Sequence, residues 1–192
     1  MRRYGLIFLA RARRPLRRLL RDERGISAVE FAMLLPLMVT LYLGGVEVSQ
    51  AVAVDRKVTL IARSLGDLVA QATNVTSAEV TNILAASAAI VVPYDDTKLK
   101  ITVSSVKIDS TGVAKIAWSD TKNGTARTVG STVTLPAALN TNDTWLIWTE
   151  AEYAYTPVIG YVITGTMTLK DQIYMRPRLS DCVTRTGVVT SC

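Results

Sequence analysis

Gly25 and Glu30 are the residues whose spacing offers chemistry in this chain, because they flank the start of an apolar run that follows a basic leader. In Arg24-Gly25-Ile26-Ser27-Ala28-Val29-Glu30-Phe31 the Gly25–Ile26 bond is a candidate scissile bond placed before the apolar segment. A secretory signal is cut after its apolar segment, at small residues, so a cut at Gly25 would instead leave the apolar helix on the mature protein. Hydrolysis there would free a cationic α-amine on Ile26. Glu30 lies four residues further on, a helical rise of about 6 Å, so the two opposite charges can pair within one chain or between neighbouring chains in a membrane-embedded assembly. The plainer reading is that Glu30, four residues into a span, snorkels to the headgroups. A carboxylate held deeper in lipid would cost roughly 2.5–3.5 kcal/mol even on the lenient insertion scale.

The other titratable residues offer less. The chain contains no histidine, which removes the commonest general base and the commonest metal ligand and excludes a Ser-His-Asp hydrolase. Glu150 and Glu152, two apart on an expected strand, share a face, and a carboxylate pair can in principle do acid–base work. No other acid is placed to complete a site, and a solvated sheet face accounts for the pair. Asp95-Asp96 reads as a turn, and no phosphate loop or dinucleotide fingerprint is visible. The expectation is a non-enzymatic protein with no catalytic residues, no metal site and no cofactor. Cys182 and Cys192, the only cysteines, close a short C-terminal segment and are expected to form a disulfide in an oxidising compartment. Their spacing is not Cys-x-x-Cys, so a structural role is expected, with a free thiol pair as the alternative.

Charge divides the chain. Residues 1–25 carry nine arginines against Asp22 and Glu23, a balance of +7, whereas the whole chain is +6, so the remainder is close to neutral. A basic cluster of this kind raises nucleic-acid binding, but it abuts an apolar helix and holds only two aromatics, Tyr4 and Phe8, so no nucleic-acid partner is expected. Arginines within about 15–20 residues of a span hold that end in the cytoplasm, which places the C-terminal part outside. Residues 26–46 give 21 residues, the length of about 20 needed to cross a bilayer, so membrane lipid is an expected partner.

The elements that must position these residues follow from periodicity. Beyond the span, Val48, Val52, Val54, Val58, Ile61, Leu65, Leu68 and Val69 recur at helical spacing, predicting one helix from Ile26 to about Thr73. Pro36 deletes a backbone donor within it and predicts a bend. Gly44-Gly45 could add flexibility, permit close helix approach, or simply be a weak spot. Thr76-x-x-Glu79 is a capping box, predicting a second helix from about Ser77 to Ile90, stopped by Pro93. From Leu99 the chain is strand-like. Strands are expected over Leu99–Val103, Val106–Ile108, Val113–Ser119, Thr144–Tyr155 and Thr164–Tyr174, with Asp109-Ser110-Thr111-Gly112 a turn, Asp120 to Gly124 a polar loop and Asn140 to Asp143 another. The segment 121–142 is unassigned. The fold class is α+β: a long N-terminal transmembrane and amphipathic helix, then an exported domain with a second helix and a four- or five-stranded antiparallel sheet packed on the first. Trp118, Trp145, Trp148, Tyr153, Tyr155 and Tyr161 concentrate in the sheet region, where core packing or an adhesive face would use them; Trp145 and Trp148, three apart, point to opposite faces. The organisation is therefore a basic cytoplasmic leader (1–25), a span (26–46), a helical extension (47–73) and a domain with a C-terminal tail (74–192), without internal repeats.

The run Gly25-Ile26-Ser27-Ala28-Val29-Glu30-Phe31 resembles the processing site of type IV prepilins, and the wider stretch Arg24 to Leu37 resembles the TadE-like pseudopilins of tight-adherence (Tad, or Flp) pilus systems. A second patch, Tyr153-Ala154-Tyr155-Thr156-Pro157 followed by Met175-Arg176-Pro177-Arg178, is similar to the Tyr-x-Tyr-x-Pro strand and terminal Arg-Pro-Arg of that family. The resemblance implies a single-pass protein of the bacterial inner membrane, its N-terminus cytoplasmic and its domain periplasmic, cut after Gly25 by a prepilin peptidase. Carried over by position, Gly25 precedes the cut, Ile26 is the new N-terminus and Glu30 is the acidic residue of recognition or assembly. The implied partners are the peptidase, other pilins or pseudopilins and the inner-membrane assembly platform. Removing 25 of 192 residues leaves 167, too long for a major Flp pilin, so a minor pilin or pseudopilin is expected. The alternative is a signal-anchored periplasmic binding or adhesion module that is not processed; a third variant is signal-peptidase cleavage after Ala51-Val52-Ala53.

Overall fold

The computed structural model describes residues 24–192. Met1 to Glu23, the basic leader, lie outside the described residues. The chain divides into two compact units, Met1–Val46 and Glu47–Cys192.

The first helix, α1, spans Arg24–Ala70 without interruption and runs through Pro36. Proline removes one N–H, and the carbonyl of Pro36 accepts a hydrogen bond from Thr40 Oγ1 at 2.8 Å. Up to Val46 the helix is apolar almost all round, and its large side chains, including Phe31, Met33, Leu37 and Leu41, are exposed. After Glu47 it becomes amphipathic. Ala51, Val54, Val58, Ile61, Ala62, Leu65 and Val69 form one buried stripe at steps of three and four. Val48, Val52 and Leu68, which the sequence pattern assigned to that stripe, are instead exposed. Any two valines four apart suggest a helical face, but only the face in phase with Val54 and Val58 meets the sheet.

In the second unit, β1 (Asn74–Val75) leads into α2 (Ser77–Ala88), which begins as the capping box requires: Thr76 Oγ1 accepts from the Glu79 N–H, and Glu79 Oε2 accepts from the Thr76 N–H. The helix tightens into a 3₁₀ turn at Ala89–Val91, where Lys57 Nζ from α1 donates to the carbonyls of Ile90 and Val92 at 2.9 and 2.8 Å. A cation on the last carbonyls is a favourable ending.

The main sheet comprises β2 (Leu99–Ile108), β3 (Ala114–Lys122), β4 (Thr132–Val133), β5 (Thr144–Tyr155) and β6 (Met167–Met175), all antiparallel in the order β4-β3-β2-β5-β6. The two strand-like stretches from Leu99 are one strand, and β3 continues to Lys122, so the polar residues 120–122, expected as a loop, are paired instead. Thr102 with Thr121 and Ser104 with Ser119 pair by side-chain hydroxyls at 3.0 and 2.9 Å. Cross-strand hydroxyl pairs let polar residues occupy a sheet, which a search for apolar alternation misses.

Leu99, Ile101, Val103, Ile147, Ala151, Tyr153 and Tyr155 form the main core with the α1 stripe and α2. A second cluster, Val106, Ile108, Ala114, Ile116, Leu146 and Trp148, is covered by Val133, Leu135, Leu139 and Tyr174. The segment left unassigned by the sequence thus supplies the cover of that cluster. A bulge in β3 separates the two sets: Ser105 pairs Trp118 while Val106 pairs Ile116, so Ala117 is the extra residue. One extra residue reverses the alternation. Ala114 and Ile116 therefore face one way and Trp118 the other, into the main core, where its Nε1–H donates to the Val183 carbonyl at 2.8 Å.

α1 approaches β5 closely because residue 66 is glycine: a Cβ there would lie 3.2 Å from both Thr149 Oγ1 and Met175 Sδ. The same threonine donates to the Ala62 carbonyl at 2.9 Å inside the core. Gly66→Val is expected to destabilise the domain by about 1–3 kcal/mol through overpacking. Thermal unfolding of the full chain in detergent measures this, and an unchanged midpoint would refute the close-approach account.

The C-terminal tail is part of the fold. β7 (Thr184–Arg185) pairs in parallel with β1 in a two-stranded sheet, a feature too short to read from sequence. Buried Arg185 donates to both carboxylate oxygens of Asp120 and to Ser77 Oγ. Cys182 and Cys192 are joined by a disulfide with 5.7 Å between their Cα atoms. Opening it by Cys182→Ser with Cys192→Ser is expected to cost about 2–3 kcal/mol on the loop-closure model. Equal denaturant midpoints for the variant and the oxidised protein would show that the tail is held without it.

Candidate functional site

The candidate processing residues lie in the first turns of α1. A Cβ built on Gly25 would meet nothing within 4 Å, and Ile26 is 58% exposed. Glu30 is exposed one turn further on. The helix brings Gly25, Ile26 and Glu30 onto one accessible end without burying any of them.

The helix that carries them is long and apolar enough to cross a membrane, with a mean hydropathy of 1.9 in its most apolar stretch. A helix that is hydrophobic all round requires an apolar surround. This supports single-pass membrane anchoring through α1.

Glu47, the first residue after the apolar run, was not singled out by the sequence, where it is one of several polar residues on a helix. It is only 1% exposed. Its Oε1 accepts the Tyr161 N–H at 2.7 Å, and its Oε2 accepts the N–H groups of Ile163 at 2.8 Å and Val162 at 3.0 Å. These peptide donors, Ile163 foremost, hold the Glu47 carboxyl below its ordinary pKa. The β5–β6 loop is thereby fastened to α1. Composition carries part of the signal, since the loop from Thr156 to Thr166 has no charge of its own and Glu47 directly follows an apolar run, but their pairing does not show in the sequence.

The two C-terminal patches also close on α1. Tyr153 and Tyr155 are buried in its core cluster, with the Tyr94 ring edge-on to Tyr153 at 6.5 Å between centroids. Arg178 donates its N–H to the Ala70 carbonyl at the end of α1, and its guanidinium pairs with Asp67. Patches far apart in sequence thus serve one purpose, seating the helix on the sheet.

The carboxylates that the sequence offered as an acid–base pair have other occupations. Glu150 is bound by the Arg127 guanidinium at 2.8 Å, and Glu152 lies 3.7 Å from Lys100. Arg127 also stacks over the Trp148 ring at 3.8 Å, with Tyr174 stacked on the same indole. Half-exposed pairs of this kind contribute little energy but fix side-chain directions. Among the described residues no three His, Cys, Asp or Glu side chains are grouped as a metal ion would need.

A family model described as TadE-like protein matches residues 25–64. The match begins at Gly25 and covers most of α1. No curated protein and no solved structure matches the chain. The match supports a part for the chain in a Tad pilus and interaction with other components of that pilus. In residues 25–64, most of its N-terminal helix, the chain is similar to the TadE-like family.

Proposed function

We propose that the chain is a minor pilin or pseudopilin of a Tad pilus, cut after Gly25 by a prepilin peptidase and acting structurally rather than as an enzyme. The observation that carries this reading is the TadE-like match, which starts at the candidate cleavage residue and runs along α1. In this role the leader stays in the cytoplasm, α1 crosses the inner membrane and the domain folds in the periplasm. The apolar helix surface docks against lipid and against the helices of other pilins or of the assembly platform. The freed Ile26 amine and Glu30 supply opposite charges within that apolar setting, where pairing is worth most.

Cleavage after Ala53, the third variant, would sever α1 between Ala51 and Val54, both of which are in the core. A soluble domain made that way would lose part of the helix that fills its sheet.

The deciding experiment is the intact mass and N-terminal sequence of the protein from native membranes. A chain beginning at Ile26 supports the pilin-like reading, and one that keeps the leader supports an anchored periplasmic binding or adhesion module. Glu30→Ala is expected to insert normally while impairing cleavage or pilus assembly. Normal cleavage together with normal piliation in that variant would overturn the role given to Glu30.

A further inference from the structure

The loop joining β5 to β6 is apolar where a solvent-facing loop is polar. Its sequence, Thr156-Pro157-Val158-Ile159-Gly160-Tyr161-Val162-Ile163-Thr164-Gly165-Thr166, holds no charged residue. Val158 is 89% exposed, Tyr161 57%, and Ile159 and Val162 48% each. Four large apolar side chains displayed within five residues mark a contact surface.

Glu47 indicates what that surface touches. Its carboxylate holds the backbone of Tyr161, Val162 and Ile163 by three hydrogen bonds. Glu47 is also the residue that follows the apolar run ending at Val46. If residues 26–46 span the bilayer, residue 47 stands where the chain leaves the hydrocarbon, and a loop fastened to it stands at the same depth. The boundary between acyl chains and headgroups is the zone in which aliphatic side chains and tyrosine rings partition together. The charge at the base of the loop, that of Glu47, is buried and satisfied by peptide N–H groups, so it does not hold the loop in water. The Thr156 and Thr166 hydroxyls close the loop's base at 3.1 Å.

We infer that the β5–β6 loop is a second membrane contact, with Val158, Ile159 and Val162 seated in the interface of the leaflet from which α1 emerges. The occupant is lipid, and Glu47 positions the loop for it. The inference rests on the reading of residues 26–46 as a span and is tested so that the two can fail separately.

Single cysteines at Val158, Val162, Leu37 and Thr111 are labelled with an environment-sensitive fluorophore, the native disulfide intact, in the full chain reconstituted into phosphatidylethanolamine–phosphatidylglycerol vesicles. Thr111 lies in the turn at the far end of β2, roughly 30 Å along the sheet. Probes at 158 and 162 are expected to be quenched by lipids carrying a shallow nitroxide and to be about threefold or more less accessible to aqueous iodide than the probe at 111. Adding Glu47→Gln is expected to raise iodide access at 158 without changing the lipid quenching at 37. If the probe at 37 is lipid-quenched while 158 behaves like 111, the loop contact is wrong and the span stands. If 37 is not lipid-quenched, the span reading fails and takes the inference with it. Shielding of 158 that grows with protein density and shows no lipid quenching would assign the surface to a second copy of the chain, which also overturns the proposal.

Discussion

Gly25→Val is expected to abolish the proposed removal of the leader, so that the chain from native membranes keeps residues 1–25 and no Ile26 N-terminus is found. The structure gives this substitution unusual diagnostic value. A Cβ at residue 25 meets no heavy atom within 4 Å, and the position lies in regular helix. Valine is also apolar, so insertion of the adjoining span has no reason to suffer. The fold makes no demand for glycine, and what remains is the approach of another protein to the backbone at this bond, which a side chain obstructs. Loss of the cut would therefore report recognition by a peptidase rather than misfolding. Mass spectrometry of the membrane fraction reads the result directly. Cleavage at the same bond at the wild-type rate would remove Gly25 from the mechanism, and would leave the TadE-like match as a statement about the helix alone.

What was legible in the sequence followed the strength of local signals. The capping box at Thr76 and Glu79 fixed the start of α2, and β5 runs over Thr144–Tyr155, where alternation is clear. α1 was visible because its apolar residues are many, although its buried face was blurred. Val48 and Val52 obey helical spacing as well as Val54 and Val58 do, and only the position of the sheet separates them. The cover formed by residues 132–139 was not legible, because Val133, Leu135 and Leu139 owe their burial to a cluster on distant strands. The bulge at Ala117 was hidden for a related reason: it exists to turn Trp118 toward Val183, a residue 65 positions away. At the candidate site the same division holds. Gly25 and Glu30 are a local motif, whereas Glu47 takes its meaning from amides more than 110 residues downstream.

Glu47→Gln is expected to release the β5–β6 loop while leaving the remainder of the domain folded. The amide keeps the size of the side chain but has one acceptor oxygen in place of two. In either orientation its NH₂ group faces a peptide N–H, that of Tyr161 or those of Val162 and Ile163, so at least one of these part-buried donors loses its acceptor. Amide exchange at Tyr161, Val162 and Ile163 is expected to accelerate on the order of tenfold or more, with no change in the strands beyond Met167. Acid should reproduce the effect in the wild-type chain. The folded pKa of Glu47 is depressed, so its contribution to stability is fully present above the unfolded carboxylate value and is lost as pH falls through the lower folded value. The loop should therefore hold at neutral pH and loosen only below the ordinary carboxylate range, while the Glu47→Gln variant shows no such acid step in exchange at these three amides. Identical exchange in both proteins at neutral pH would mean that the loop is kept in place by its own apolar contacts, and that the carboxylate merely accompanies them.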